Sequence, residues 1–117
     1  MKTLGLIVAS LLLSACGLRQ GPINNPPAPE GSEELTRVTV SRVPSIMGWP
    51  WPMIFTIDGE EIYGLDDRGS YSFMLAPGYY AFGYYLAFNE CRRHVNIERK
   101  PSQHILLATP CKIVQAE

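Results

Sequence analysis

Thiols and imidazoles are the groups in this 117-residue chain most able to form covalent or metal bonds. Cys91, His94, His104 and Cys111 follow one another in its second half, whereas Cys16 stands apart. Such residues can form a disulfide, a reactive thiol or a metal site. Cys91-x-x-His94 would need a matched second pair, and no histidine follows Cys111. The spacing therefore does not favour a metal site, and we assign no metal ligands.

Carboxylates cluster in turn-like sequences, where an acid pair or a cation site would be conceivable. The residues are Asp58, Glu60, Glu61, Asp66 and Asp67. Carboxylates beside glycine more often shape a solvated turn. No Gly-x-Ser-x-Gly, phosphate-binding loop or His-Glu-x-x-His sequence occurs, so we expect a protein without catalytic residues or cofactors. The net charge is −1 and the closest basic cluster is Arg92-Arg93, which excludes the charge pattern of a nucleic-acid binder.

A Trp-Pro repeat, Trp49-Pro50-Trp51-Pro52, is the most unusual stretch of the sequence. Prolines stiffen the loop, and the two indoles could contact a protein partner, stack on a sugar ring or lie among lipid headgroups. They could also cap the open end of the fold. Tyr79 and Tyr85 are a second candidate contact, either as an aromatic platform or as ordinary cross-strand pairs.

The first residues have the features of a bacterial export signal. Lys2 precedes the apolar run Leu4–Leu13, whose ten residues would rise about 15 Å as a helix, half the thickness of a bilayer core. Leu13-Ser14-Ala15-Cys16 resembles the lipobox of bacterial lipoproteins. The resemblance implies cleavage after Ala15 and acylation (palmitate among the fatty acids) of Cys16. Gly17, where an inner-membrane retention signal would have Asp, implies delivery to the outer membrane if the source has two membranes.

The predicted organisation is a signal peptide over 1–15, a lipidated cysteine and flexible tether over 16–35, and a folded domain over 36–117. The tether is rich in proline and lacks apolar periodicity, so no regular structure is expected there. Extended at about 3 Å per residue, it could hold the domain about 50 Å from the membrane. We expect this tether to act only as a spacer.

The domain is predicted to be an all-β, antiparallel sandwich of seven or eight short strands, since no helical spacing persists over eleven residues. Turns at Asp58-Gly59, Asp66–Gly69 and Ala76–Gly78 are predicted to connect four strands as a meander. The other strands are centred on residues 37–43, 95–97, 105–107 and 113–114. The longest, 79–88, has large side chains on one face and small ones on the other, which indicates a central strand.

Export would leave Cys91 and Cys111 as the two domain cysteines in an oxidising compartment. A disulfide between them would close a loop of about twenty residues and contribute about 3 kcal/mol. That is a large contribution for so small a core.

The order of motifs resembles small PEGA-like β-sandwich domains of bacterial envelope lipoproteins of unknown function. The matching residues are Ile57-Asp58-Gly59, Ile62, Leu65, Gly69-Ser70-Tyr71 and Leu75-Ala76-Pro77-Gly78-Tyr79-Tyr80, within about 36–97. The resemblance implies an envelope sandwich and brings no catalytic residues. We therefore expect a membrane-anchored, non-catalytic binding or assembly module for a protein partner. The alternative is a small-molecule or cell-wall glycan binder using the Trp49/Trp51 loop, or a cell-wall hydrolase.

Overall fold

The structure, a computed structural model, describes residues 20–29, 34–44, 51–87 and 89–116. The described chain forms nine strands and no helix. Their bounds are Gly21–Pro22 (β1), Thr36–Arg42 (β2), Met53–Ile57 (β3), Glu60–Leu65 (β4), Ser70–Leu75 (β5), Gly78–Leu86 (β6), Asn89–Ile97 (β7), Ser102–Ala108 (β8) and Lys112–Ala116 (β9). The all-β fold class is confirmed.

Two sheets pack face to face. One has five strands in the order β1-β4-β3-β6-β7, and the other has four in the order β5-β2-β8-β9. Alternating apolar side chains point between them, as the period-two pattern of β2 predicts from Val38 and Val40, which are fully buried. Phe55, Phe82 and Tyr84 are the largest fully buried side chains of this shared core, and each is 0% exposed. Each Phe contributes about 2 kcal/mol by leaving water.

The predicted four-strand meander is wrong. β3 and β4 do form a hairpin, and its turn residues Asp58 and Gly59 have the required positive φ values of 51° and 85°. β5, however, crosses to the other sheet and pairs with β2, and β6 returns to pair with β3. The turn sequence at Asp66–Gly69 reverses the chain, but it does not determine in which sheet the next strand lies.

The long strand β6 lies between β3 and β7, which confirms its predicted interior position. Close packing against β3 and β7 explains why the outer face of β6 has no side chain at Gly83. A Cβ atom there would lie 2.7 Å from the carbonyl oxygen of Cys91 and 2.8 Å from Thr56 Oγ1. The neighbouring strands therefore leave no room for a side chain at this position.

The sandwich has two ends, which the strand registers define. The Trp51 end carries Val43, Trp51, Leu65, Asp66 and Ala87. The Tyr79 end carries the Asp58–Gly59 turn, Pro77, Tyr79 and the loop from Glu98 to Pro101. The two ends present different side chains.

Part of the segment predicted to be a flexible tether forms a strand in the structure. Gly21 and Pro22 form the short strand β1, which pairs antiparallel with Gly64 and Tyr63 at the edge of β4. Gly21 adopts a positive φ of 85°, which glycine tolerates readily. The prediction of no regular structure over 16–35 is therefore wrong for these residues, because the unpaired edge of β4 offers hydrogen bonds that composition alone does not reveal.

Candidate functional site

The disulfide between Cys91 and Cys111 is confirmed. Their Cα atoms are 5.4 Å apart, and the bond joins β7 of one sheet to the turn before β9 of the other. The disulfide therefore uses both cysteines of the domain. His94 and His104 lie on different sheets, and the two bonded cysteines are not available as thiolate ligands. Within the described segments, no three His, Cys, Asp or Glu residues group as metal ligands would.

Trp51 is held at its end of the sandwich by a buried cation. Arg42, on β2, is only 4% exposed, and its Nη1 donates to the carbonyl oxygens of Trp51 at 2.8 Å and Leu65 at 3.1 Å. Burial lowers the pKa of Arg42, and the carboxylates of Asp67 and Asp66 act in the opposite direction. The guanidinium thus fixes the Trp51 backbone against the end of β4.

The Trp51 indole itself faces outward. It is 54% exposed, and Val43, at the end of β2, is also exposed. Much of this flat amphipathic ring is therefore available for contact. Trp49 and its neighbours 45–50 lie outside the described residues, as does Cys16.

Tyr79 and Tyr85 do not form one aromatic platform. Both are on the outer face of β6, six residues apart, which is about 20 Å along a strand. Tyr85 is half-buried between its cross-strand neighbours Ile54 and Glu90, as the cross-strand interpretation expects. Tyr79 is 79% exposed and lies opposite Asn96 of β7. Only Tyr79 is a strongly exposed contact candidate of the two.

A polar surface that the sequence did not reveal covers the outer face of the four-stranded sheet. Ser41 Oγ lies 2.8 Å from His104 Nε2, and Thr39 Oγ1 lies 2.7 Å from Ser72 Oγ. A Ser–His contact is one part of a nucleophile–base pair, but catalysis also requires an orienting group and oxyanion donors. In the part of the chain that the structure describes, Ser41 is the only hydrogen-bond partner of the His104 ring. The contact links β2 to β8 across the outer face of the sheet.

The carboxylates have structural roles where the structure shows their partners. Asp58 Oδ1 accepts a hydrogen bond from the Ala81 amide at 2.8 Å, which ties the β3–β4 turn to β6. The carbonyl oxygen of Asp66 accepts from the Gly69 amide, and a Cβ atom at Gly69 would lie 2.8 Å from Asp66 Oδ1. These contacts fit turn chemistry rather than an acid pair.

Comparison of the chain with protein-family models, with curated proteins and with solved structures finds no match. Among residues 20–29, 34–44, 51–87 and 89–116, no helix has the length and apolar character that would let it span a bilayer. Function must therefore be argued from the arrangement of the residues themselves.

Proposed function

We propose that this chain is an envelope lipoprotein, anchored through acylated Cys16, whose sandwich is a non-catalytic binding or assembly module for a protein partner. The lipobox-like sequence supports the anchor, and the Gly17 that follows favours the outer membrane where there are two. The PEGA-like motif order is consistent with an envelope sandwich. The disulfide fits an oxidising compartment.

The observation that carries the partner proposal is the exposure of Tyr79. Its ring is 79% exposed although its backbone is held within β6. On the same outer face, Ala81 has a small side chain two residues along β6, and His94 and Asn96 flank this part of β6 on β7. We call these four residues the Tyr79 surface. Tyrosine is among the residues enriched in the hot spots of protein interfaces, and this exposed ring is accessible to a partner.

The test is recovery of a partner from detergent-solubilised envelopes. The protein carrying Tyr79→Ser should retain the partner on the order of 30-fold less well than the wild type, because truncating a hot-spot ring costs about 2 kcal/mol. Met74→Ser is the matched control, since Met74 is 44% exposed on the outer face of the other sheet. Equal recovery with both variants would contradict the proposal.

A further inference from the structure

The tether is bound along the edge of β4 by more than the two residues of β1. The amides of Ile23 and Asn24 both donate to the carbonyl oxygen of Ile62, at 2.9 and 3.2 Å. Asn24 Nδ2 donates to the carbonyl oxygen of Glu61 at 2.8 Å. A segment with these bonds lies on the domain and does not act as a free spacer.

The direction of this segment determines where the chain reaches the sandwich. β4 runs from the Tyr79 end at Glu60 to the Trp51 end at Leu65, and β1 is antiparallel to it. Gln20 therefore lies at the Trp51 end, where it lines a cleft of about 360 Å³ together with Leu65 and Asp66. The amino-terminal part of the chain meets the domain at this end.

Chain length then limits the distance between the sandwich and an anchor. Cys16 precedes Gln20 by four residues, which span no more than about 14 Å when fully extended. The headgroup layer of one leaflet is about 6 Å thick. This step rests on the acylation of Cys16 in the proposed function. With that anchor, the Trp51 end lies close to the bilayer, and not about 50 Å away.

The exposed indole belongs to this same corner. One nitrogen of Arg42 bonds the carbonyl oxygens of both Trp51 and Leu65, so these two residues are near neighbours. Leu65 in turn lines the cleft that contains Gln20. Tryptophan is enriched at the membrane–water interface, where its ring is buried and its N–H stays hydrated. Val43 adds a second exposed apolar side chain at this end.

We propose that the docked tether holds the Trp51 end of the sandwich on the phospholipid surface, with the Trp51 indole among the headgroups. The turn after Leu65 carries Asp66, Asp67 and Arg68, whose net negative charge does not attract an anionic surface. A zwitterionic bilayer is therefore the surface that fits this end. The Tyr79 surface then extends away from the membrane, toward a partner.

The experiment uses the full-length protein purified from native membranes and reconstituted in phosphatidylcholine vesicles. It carries Trp49→Phe, which leaves Trp51 as the one tryptophan. Circular dichroism verifies that the variant is folded. Lipids brominated near the headgroup should quench Trp51 emission relative to unbrominated vesicles, as expected for an interfacial indole. Lipids brominated near the chain ends should reduce it less. Equal emission in all vesicles would overturn the proposal.

A second protein tests the docked tether itself. It carries the same substitution and a Gly/Ser insert of about twenty residues after Leu18, which adds about 25 Å of flexible reach. Loss of the quenching supports positioning by the tether, whereas unchanged quenching contradicts it. Vesicle flotation separates the two proposals. A protein that does not float refutes the anchor and this inference together, while one that floats without quenching refutes this inference alone.

Discussion

At the scale of single residues, Arg42 links the core to the exposed loop. It is the only charged side chain buried among the described residues. A buried charge is tolerated when hydrogen bonds replace its lost hydration, and two carbonyl oxygens do so here. Those carbonyl oxygens in turn depend on Arg42. The position of Trp51 is therefore coupled to the stability of the domain.

Arg42→Met should lower the free energy of unfolding by about 2 kcal/mol, because two hydrogen bonds from a charged donor are lost. Urea denaturation of the oxidised protein measures this. Arg37→Met is the matched control on the same strand, since the Arg37 side chain is exposed, and we expect little change from it. A similar loss of stability in both variants would show that Arg42 makes no special contribution.

The buried phenol of Tyr84 should make the free energy of unfolding depend on alkaline pH. Burial raises its pKa, and a hydrogen bond from the Lys112 backbone offsets only part of this. Because the folded-state pKa lies above the unfolded value near 10, the stability that Tyr84 contributes is fully present below about pH 10. It is lost as the pH rises through the folded-state pKa. The pKa of Tyr71 is also raised, first by burial and then by the neighbouring Tyr63.

Tyr84→Phe should therefore make the loss of stability above about pH 10 less steep, with Tyr71 retaining part of the slope. At neutral pH it should cost about 1 kcal/mol, since the hydroxyl donates to the carbonyl oxygens of Ala108 and Pro110. Thermal unfolding across the alkaline range provides the measurement, with the exposed Tyr79→Phe as control. An unchanged slope for Tyr84→Phe would refute the prediction.

At the scale of elements, the edge of β4 decides how the tether behaves. Pairing of Gly21 and Pro22 with β4 adds a fifth strand to a sheet that would otherwise end there. Such an edge presents unpaired backbone groups, and a short strand with proline covers it without offering a new edge for association. The same contact fixes where the chain enters the domain.

Hydrogen exchange tests this contact. The amide of Ile23 should exchange more slowly than that of Ala28, because it donates to Ile62 whereas Ala28 lies in the exposed part of the tether. Asn24→Ala removes the side-chain bond to Glu61 and should speed exchange at Ile23 about fivefold, as expected for about 1 kcal/mol. Equal exchange at Ile23 and Ala28 in the wild type would show that β1 is not docked.

The sequence predicts what depends on local pattern and misses what depends on distant pairing. Asp58-Gly59 predicts its hairpin because both residues must reach positive φ, and the alternation in β2 predicts its buried valines. The crossing of β5, the parallel pairing of β2 with β8 and the Ser41–His104 contact depend on which strands become neighbours. Ser41 and His104 are 63 residues apart, and no local signal relates them.

At the scale of the whole molecule, the two ends of the sandwich differ. The chain enters at the Trp51 end, and the most exposed aromatic ring lies at the Tyr79 end. The disulfide crosslinks the two sheets near the Trp51 end, where the β8–β9 turn carries Cys111. In the proposed arrangement, acylated Cys16 places the Trp51 end on the bilayer and leaves the Tyr79 end available to a partner, so the orientation depends on the anchor.

Mass spectrometry of the amino terminus of the protein purified from native membranes tests that anchor most directly. We predict a mature chain that begins at Cys16 and carries fatty acyl groups on both the sulfur and the α-amine. An unmodified mature chain that begins at any other residue would contradict the account.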